Sequence, residues 1–247
     1  LLIKACLNGS RERGEHLALP LSAEDLARDA AAAVAAGAGA LHIHPRNADG
    51  KQSLEAQDQA TAIAAIRSRC PAIPVGVSTG IWIEPDISRR LQKVQQWTIL
   101  PDFATVNFNE PGVADLCQAL LQRGIGVEAG ISTSAEARLL CELGLADRCL
   151  RILIEPAEEE TEAALINTSA IIRVLDERHI QSPRLLHGFA ATAWPILDAA
   201  LDLGYDTRIG LEDTLTLPDG RAAQSNAELV SLAISKSRIK QRASKNC

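Results

Sequence analysis

Ala33-Val-Ala-Ala-Gly-Ala-Gly-Ala-Leu-His-Ile-His-Pro-Arg46 joins the end of an alanine-rich helix to a short hydrophobic strand. Gly37 falls where a helix-terminating glycine belongs. The following Ala-Leu-His-Ile run is apolar enough for a buried strand. The same joint recurs along the chain: Gly124, Gly144 and Gly204 each follow a helical stretch and precede an apolar one. The pattern predicts strands over 2–8, 40–46, 74–79, 103–108, 126–131, 151–155, 184–189 and 207–212. Between and after them it predicts helices to 36 (N-cap Ser22, capping-box partner Asp25) and over 57–69, 85–96, 112–123, 134–143, 158–177, 192–203 and 225–237. The last has its cap at Ser225 or Asn226. Eight alternating units of about 30 residues fit parallel βαβ connections. A doubly wound sheet is the other arrangement with that alternation, but no Gly-x-Gly-x-x-Gly turn follows the first strand. The expected fold is a single α/β domain over 1–247, a (β/α)8 TIM barrel, with an apolar interior below a polar mouth.

His42 and His44 stand at i and i+2 on the second strand. Alternation points both to one face, as two ligands of one metal ion require. Taken alone, the pair is equally a structural feature of a packed strand. Barrel active sites lie at the carboxyl ends of the strands. Reading those ends gives Asn8, His42 with His44, Ser78, Thr105 with Asn107, Glu128, Glu155, His187, and Glu212 with Asp213. Two histidines and one carboxylate would leave a coordination position open, the arrangement of catalytic zinc. On the last strand Glu212 shares a face with Arg208, and Asp213 points away unless the strand has ended and the chain turns back over the mouth. Arg208–Glu212 is then either an ordinary rim ion pair or a support that holds a catalytic carboxylate and lowers its pKa.

Composition narrows the function classes. With 25 basic and 31 acidic residues the net charge is −6, which argues against a nucleic-acid binder. Lys236, Arg238, Lys240, Arg242 and Lys245 give a mildly basic tail (about 238–247) that reads as the solvated extension of the last helix. The six cysteines form no Cys-x-x-Cys, and several sit among apolar residues, the usage of a reducing, cytoplasmic compartment. No signal peptide is visible and no apolar run reaches membrane-spanning length. The chain contains no methionine, an unusual composition for 247 residues.

Several stretches taken together resemble the β-keto acid cleavage enzymes. They are Asn8-Gly9, Leu19-Pro-Leu-Ser22, Leu41-His-Ile-His44 with Arg46, Asp49-Gly-Lys51, Ser78-Thr-Gly80, Pro101-Asp-Phe-Ala-Thr-Val-Asn-Phe108, Arg208-Ile-Gly-Leu-Glu-Asp213 and Ser225-Asn-Ala-Glu-Leu-Val230. The resemblance implies a zinc (β/α)8 enzyme with His42, His44 and Glu212 as ligands, nickel or cobalt being compatible with the same donors. It implies Asp213 as general base, Arg208 as its support, and Ser78 and Thr105 as substrate contacts. Asn107 is a further expected contact. The implied reaction is a Claisen-type exchange of a β-keto acid with acetyl-CoA, giving acetoacetate and a new acyl-CoA, in a homo-oligomer, commonly a tetramer.

The chain departs from the family pattern in places. Arg11 replaces a glutamate of the member that takes an amino-substituted substrate. An arginine there repels an ammonium group, so a β-keto acid with an anionic or neutral far end is expected. Gly130 replaces a strand-five carboxylate. Glu155 either compensates for it or begins the rim run Glu158–Glu160. Pro156-Ala-Glu-Glu-Glu160 replaces a glycine-rich loop, and its charges disfavour a CoA pyrophosphate. His187 is either a substrate contact or a packed, hydrogen-bonded histidine. Two other readings are a metal-dependent hydrolase on the same barrel and a non-catalytic, metal-retaining small-molecule binder. The hydrolase would place the histidine pair on strand one and needs a lysine ending one of strands three to six and a second late histidine, none of which the chain has. The binder does not account for Glu212, Asp213 and Arg208 being kept together.

Overall fold

The computed structural model describes residues 1–244. Lys245 and Cys247 lie outside them. Eight parallel strands alternate with helices: β1 (Ile3–Cys6), α1 (Ala23–Ala35), β2 (Ala40–Ile43), α2 (Ala56–Arg69), β3 (Val75–Ser78), α3 (Ile87–Gln95), β4 (Phe103–Asn107), α4 (Val113–Gln122), β5 (Gly126–Ile131), α5 (Ser134–Glu142), β6 (Arg151–Ile154), α6 (Thr161–Glu177), β7 (Arg184–Leu186), α7 (Ala193–Leu203), β8 (Thr207–Ile209) and α8 (Asn226–Ser244). The strand order is β7-β6-β5-β4-β3-β2-β1-β8. A parallel bridge from Leu185 to Asp206 brings β7 to the β8 side and nearly closes the barrel. The expected TIM barrel is the observed fold.

Local chemistry explains the joints. Ser22 caps α1 by accepting from the Asp25 backbone N–H at 3.1 Å, and Asp25 accepts in return from the Ser22 N–H at 3.3 Å. Ser225 accepts from the Glu228 N–H at 3.2 Å at the start of α8. The fully buried Asn226 does something else. Its amide donates to Leu7 O (2.8 Å) and to Asp29 (2.6 Å), and its carbonyl accepts from Leu211 N–H (2.7 Å). One side chain therefore ties the ends of β1 and β8 to α1 and α8. Gly210 makes this possible, because a Cβ there would stand 1.9 Å from Cys6 O.

The barrel interior corrects one expectation. It is not uniformly apolar: Lys4 and Glu128, both fully buried, form an ion pair, and Arg151 Nε stands 3.2 Å from Glu128 Oε1. Both cations lie against the Phe103 ring, at 5.4 and 5.8 Å from its centroid. Lys4 and Arg151 reach inward from strands otherwise built of Ile, Leu and Ala, and the apolar neighbours mask them in the sequence. At the far end of the chain, α8 runs on to Ser244, so Arg238, Lys240 and Arg242 belong to the helix. Lys236 pairs with Asp198 at 2.9 Å and Lys240 with Asp202, pinning the basic face to α7. Among the described residues no helix is long and apolar enough to cross a membrane.

Candidate functional site

The strands end sooner than their apolar runs suggest, and that decides the mouth. β2 stops at Ile43, yet His44 keeps the inward alternation because Asn8 continues the ladder in place of a peptide group. Its amide donates to His44 O and its carbonyl accepts from His44 N–H, both at 2.9 Å. His42 and His44 thus face the same space, with their Nε2 atoms 3.1 Å apart. Each Nε2 is 3.8 Å from Glu212 Oε2. These separations are close to the ~3.3 Å edge of a tetrahedron built on ~2.0–2.1 Å metal–ligand bonds.

Glu212 Oε2 is an acceptor, and each Nε2 presents a lone pair when its ring carries the proton on Nδ1. Burial, reinforced for His42 by the neighbouring His44, pushes the His42 pKa well below its ordinary value; burial also lowers that of His44. Both rings are therefore neutral at pH 7, and a lone pair is available for a cation. Glu212 Oε2 is buried without a hydrogen-bond partner. Two imidazole nitrogens and a carboxylate oxygen brought this close form a donor set that suits a divalent ion. Gly9 admits Glu212 to this place: it adopts φ +55°, and a Cβ on it would fall 2.5 Å from Glu212 Cγ.

β8 ends at Ile209, and a turn follows in which Asp213 N–H donates to Gly210 O at 2.9 Å. That turn swings Asp213 back beneath the mouth instead of away from it. Arg208 grips Asp213 Oδ1 through Nε (3.1 Å) and Nη2 (2.7 Å), and Nη2 also reaches Glu212 Oε1 at 3.0 Å. Asp213 Oδ2 is buried without a partner. Burial raises the Asp213 pKa to about 7 against the opposing pull of Arg208. Arg208 stays cationic: burial works against its charge, and Asp213 with the neighbouring acidic groups outweighs it.

Above the cluster lies a cavity of about 290 Å³ whose walls include Ser78, Thr105, Asn107, Glu155, Arg208 and Glu212 together with both histidines. A larger groove of about 700 Å³ lies on the flank, along the loop after β1 and helices α1 and α2. It holds none of the converging ligands, so the smaller cavity is the chemically relevant one. Ser78, Thr105 and Asn107 are thus brought to the site. Asp213 sits behind Glu212 and Arg208 and does not line the cavity. Arg11 also stays outside the wall: its Nε donates to Leu211 O and Nη1 lies 3.0 Å from Glu15 Oε2.

Glu155 lies in the cavity, not on the rim. Its carboxylate fills the space left by Gly130, where a Cβ would meet Glu155 Oε1 at 2.5 Å and Asn107 Oδ1 at 2.8 Å. Burial raises its pKa to about 7. His187 is packed under it, with Nε2 3.3 Å from Glu155 Oε2 and its ring edge-on to Phe189 at 4.7 Å. Gln52, Trp82, Asn109, Ser132 and Phe189 are residues at or beside the site that the sequence pattern did not single out. No short motif distinguishes a glutamine or tryptophan in a loop from any other surface residue.

A barrel with a three-ligand cluster at the carboxyl ends of its strands has the arrangement of the metal-dependent barrel enzymes. The model of the beta-keto acid cleavage enzyme family matches residues 1–243, and the chain belongs to this family of carbon–carbon bond-cleaving enzymes. It is 26% identical over 252 residues to the 3-keto-5-aminohexanoate cleavage enzyme of Fusobacterium nucleatum, covering 93% of this chain and 88% of the relative. It is 26% identical over 253 residues to the 3-oxoadipate:acetyl-CoA acetyltransferase of Cupriavidus necator, covering 93% and 86%. The apo structure of ObcA superposes with a TM-score of 0.72 at 17% identity, a likeness of fold. The match covers 88% of this chain but only 61% of ObcA.

Proposed function

We propose that the protein is a zinc-dependent β-keto acid cleavage enzyme that exchanges a β-keto acid with acetyl-CoA to give acetoacetate and a new acyl-CoA. The convergence of His42, His44 and Glu212 on one point, with Arg208 linking Glu212 to Asp213, carries the reading. The three converging residues would hold the ion, and nickel or cobalt would suit the same donors. Bound there, it would act as a Lewis acid on the keto and carboxylate oxygens of the substrate.

The protein's own groups do the rest. Asp213, with Oδ1 fixed by Arg208 and Oδ2 unpartnered, lies behind the cavity wall and takes the C2 proton through one intervening water; a pKa near 7 suits a base working at neutral pH. C2 attacks the acetyl carbonyl and the CoA thiolate departs. The thiolate then adds to the original keto carbon, and the bond from that carbon to C2 breaks with its electron pair staying on C2. Asp213 returns the proton, and acetoacetate and acyl-CoA leave. Ser78, Thr105 and Asn107 offer hydroxyl and amide groups to the carboxylate end of the substrate.

The far end of the substrate is proposed to be anionic or neutral. Arg11 lies outside the cavity wall, paired with Glu15, so position 11 supplies no carboxylate to hold a cationic end. A relative named for 3-oxoadipate, a dianion, is in keeping with that. The enzyme is further proposed to work in the cytoplasm as a homo-oligomer, with a tetramer as the first candidate. Leu17, fully exposed, and the exposed Leu165, Ile166 and Leu203 of the α6–α7 face offer apolar surface for such contacts. The test is incubation of zinc-loaded protein with acetyl-CoA and a panel of β-keto acids. Acetoacetate that depends on acetyl-CoA and is lost in Asp213→Asn is the expected result. Best turnover of a cationic substrate would overturn the far-end assignment.

A further inference from the structure

The two histidines of the cluster are held differently. The second strand leads into a tight hairpin, in which Arg46 bridges Gln52 and Ser53 N–H donates to Pro45 O at 2.9 Å. The hairpin lays Gln52 alongside His44. Gln52 Oε1 is 2.6 Å from His44 Nδ1 and 3.1 Å from Trp82 Nε1. An indole nitrogen can only donate, so the Gln52 atom between them is the carbonyl oxygen. An oxygen that already accepts from Trp82 requires His44 Nδ1 to donate as well. His44 is thereby the Nδ1–H tautomer, with the lone pair on Nε2, the atom facing His42 and Glu212. Nothing comparable orders His42, whose Nδ1 is buried without a partner.

Trp82 is placed for this role. Its ring lies nearly parallel to that of His44, 20° between planes and 6.4 Å between centroids. It is seated over Gly80, where a Cβ would come within 2.3 Å of the indole. Half of Trp82 is exposed and it lines the cavity, whereas Trp97 and Trp194 are buried elsewhere in the barrel.

We propose that Gln52 and Trp82 are positioning residues of the metal centre: Gln52 locks His44 in its ligating tautomer, and Trp82 holds Gln52 while forming a wall of the substrate cavity. Metal binding and the setting of that wall are therefore linked through one glutamine oxygen. The inference rests on the metal reading above. Outer partners that orient a ligating histidine typically change metal affinity by about 10- to 100-fold when removed.

The experiment is a zinc titration of the metal-free full chain against a competing chelator, followed in parallel by tryptophan emission. Wild type, Gln52→Leu, Gln52→Glu, Trp82→Phe and His44→Ala are compared, with thermal melts of the metal-free forms as the folding control. Gln52→Leu is expected to weaken zinc binding about 10- to 100-fold. Gln52→Glu, which keeps the acceptor, restores it. Trp82→Phe weakens binding only a few-fold and abolishes the zinc-dependent emission change, although Trp97 and Trp194 remain. Nitrogen-15 spectra of the metal-free protein should show His44 protonated at Nδ1. Wild-type zinc affinity in a folded Gln52→Leu, or a proton on Nε2 of His44, would overturn the inference. Equal, negligible binding by wild type and His44→Ala would instead overturn the metal reading itself, and the nitrogen-15 result would still decide whether Gln52 sets the tautomer.

Discussion

Two buried charge clusters lie within the same barrel, and they differ in what faces what. In the lower one, Lys4 and Arg151 flank Glu128, so every charge meets its opposite. In the upper one, Arg208 neutralises one oxygen of Asp213 and one of Glu212. The remaining Glu212 oxygen has no hydrogen-bond partner and faces two neutral imidazole nitrogens. The lower cluster pairs its charges with one another, whereas the upper one gathers the three atoms of a possible metal donor set at the cavity. The number of buried charges therefore does not mark the site. The convergence of ligand atoms beside an open cavity does.

This contrast can be broken or sharpened by substitution. The largest effect is expected for Asp213→Asn, which keeps shape and the contact to Arg208 but removes the base. Acetoacetate formation should fall by about 10²- to 10⁴-fold, in line with loss of a positioned base, while bound metal by elemental analysis stays at the wild-type level. In the lower cluster, Lys4→Met leaves Glu128 with Arg151 alone, and urea melts should show a loss of about 3–5 kcal/mol. Catalysis per folded molecule should hardly change. If Lys4→Met proved harmless to stability yet abolished turnover, the division between the two clusters would be wrong.

A pH experiment separates the clusters further. Glu155 has its pKa raised from 4.5 to about 7 by burial. The folded state keeps this proton where the unfolded chain has lost it. Its stabilising contribution is thus complete below pH 4.5 and is lost as the pH rises through about 7. At about 1.4 kcal/mol per pKa unit, wild-type metal-free protein should lose about 3 kcal/mol from this group across that window. Glu155→Gln should remove that share of the slope in urea melts between pH 4.5 and 8. An unchanged slope in the variant would contradict the burial argument.

Gly130→Ala is the mildest change. The new methyl displaces the end of a flexible Glu155 side chain, so about 1 kcal/mol is expected. That modest loss of stability should be accompanied by a several-fold rise in substrate KM. An unaltered KM would mean that Glu155 does not help to shape the cavity.

Much of the upper cluster was legible in the sequence because its signals are local. Strand alternation puts His42 and His44 on one face, and Gly-closed helices before apolar runs give the barrel. The return of Asp213 was left open because it depends on where β8 ends. That is set by the approach of Gly210 to Cys6 O across the barrel seam, a long-range contact. Lys4 and Arg151 were hidden because a charged residue in a short apolar strand looks the same whether it reaches inward or outward. Gln52 and Trp82 meet His44 only after the hairpin and the loop over Gly80 have formed. Arg11 was expected at the substrate. Its guanidinium instead meets Leu211 O and Glu15, partners that the folded loop brings within reach.

Whether acyl groups pass between a β-keto acid and acetyl-CoA at this mouth is decided by the fate of the acetyl carbons. Zinc-loaded protein would be given acetyl-CoA labelled with carbon-13 in its acetyl group and an unlabelled β-keto acid, and the products analysed by mass spectrometry and NMR. Acetoacetate carrying both labelled carbons at C3 and C4 is expected, with an unlabelled new acyl-CoA formed in equal amount. Label released as free acetate, or acetoacetate without label, would contradict the exchange.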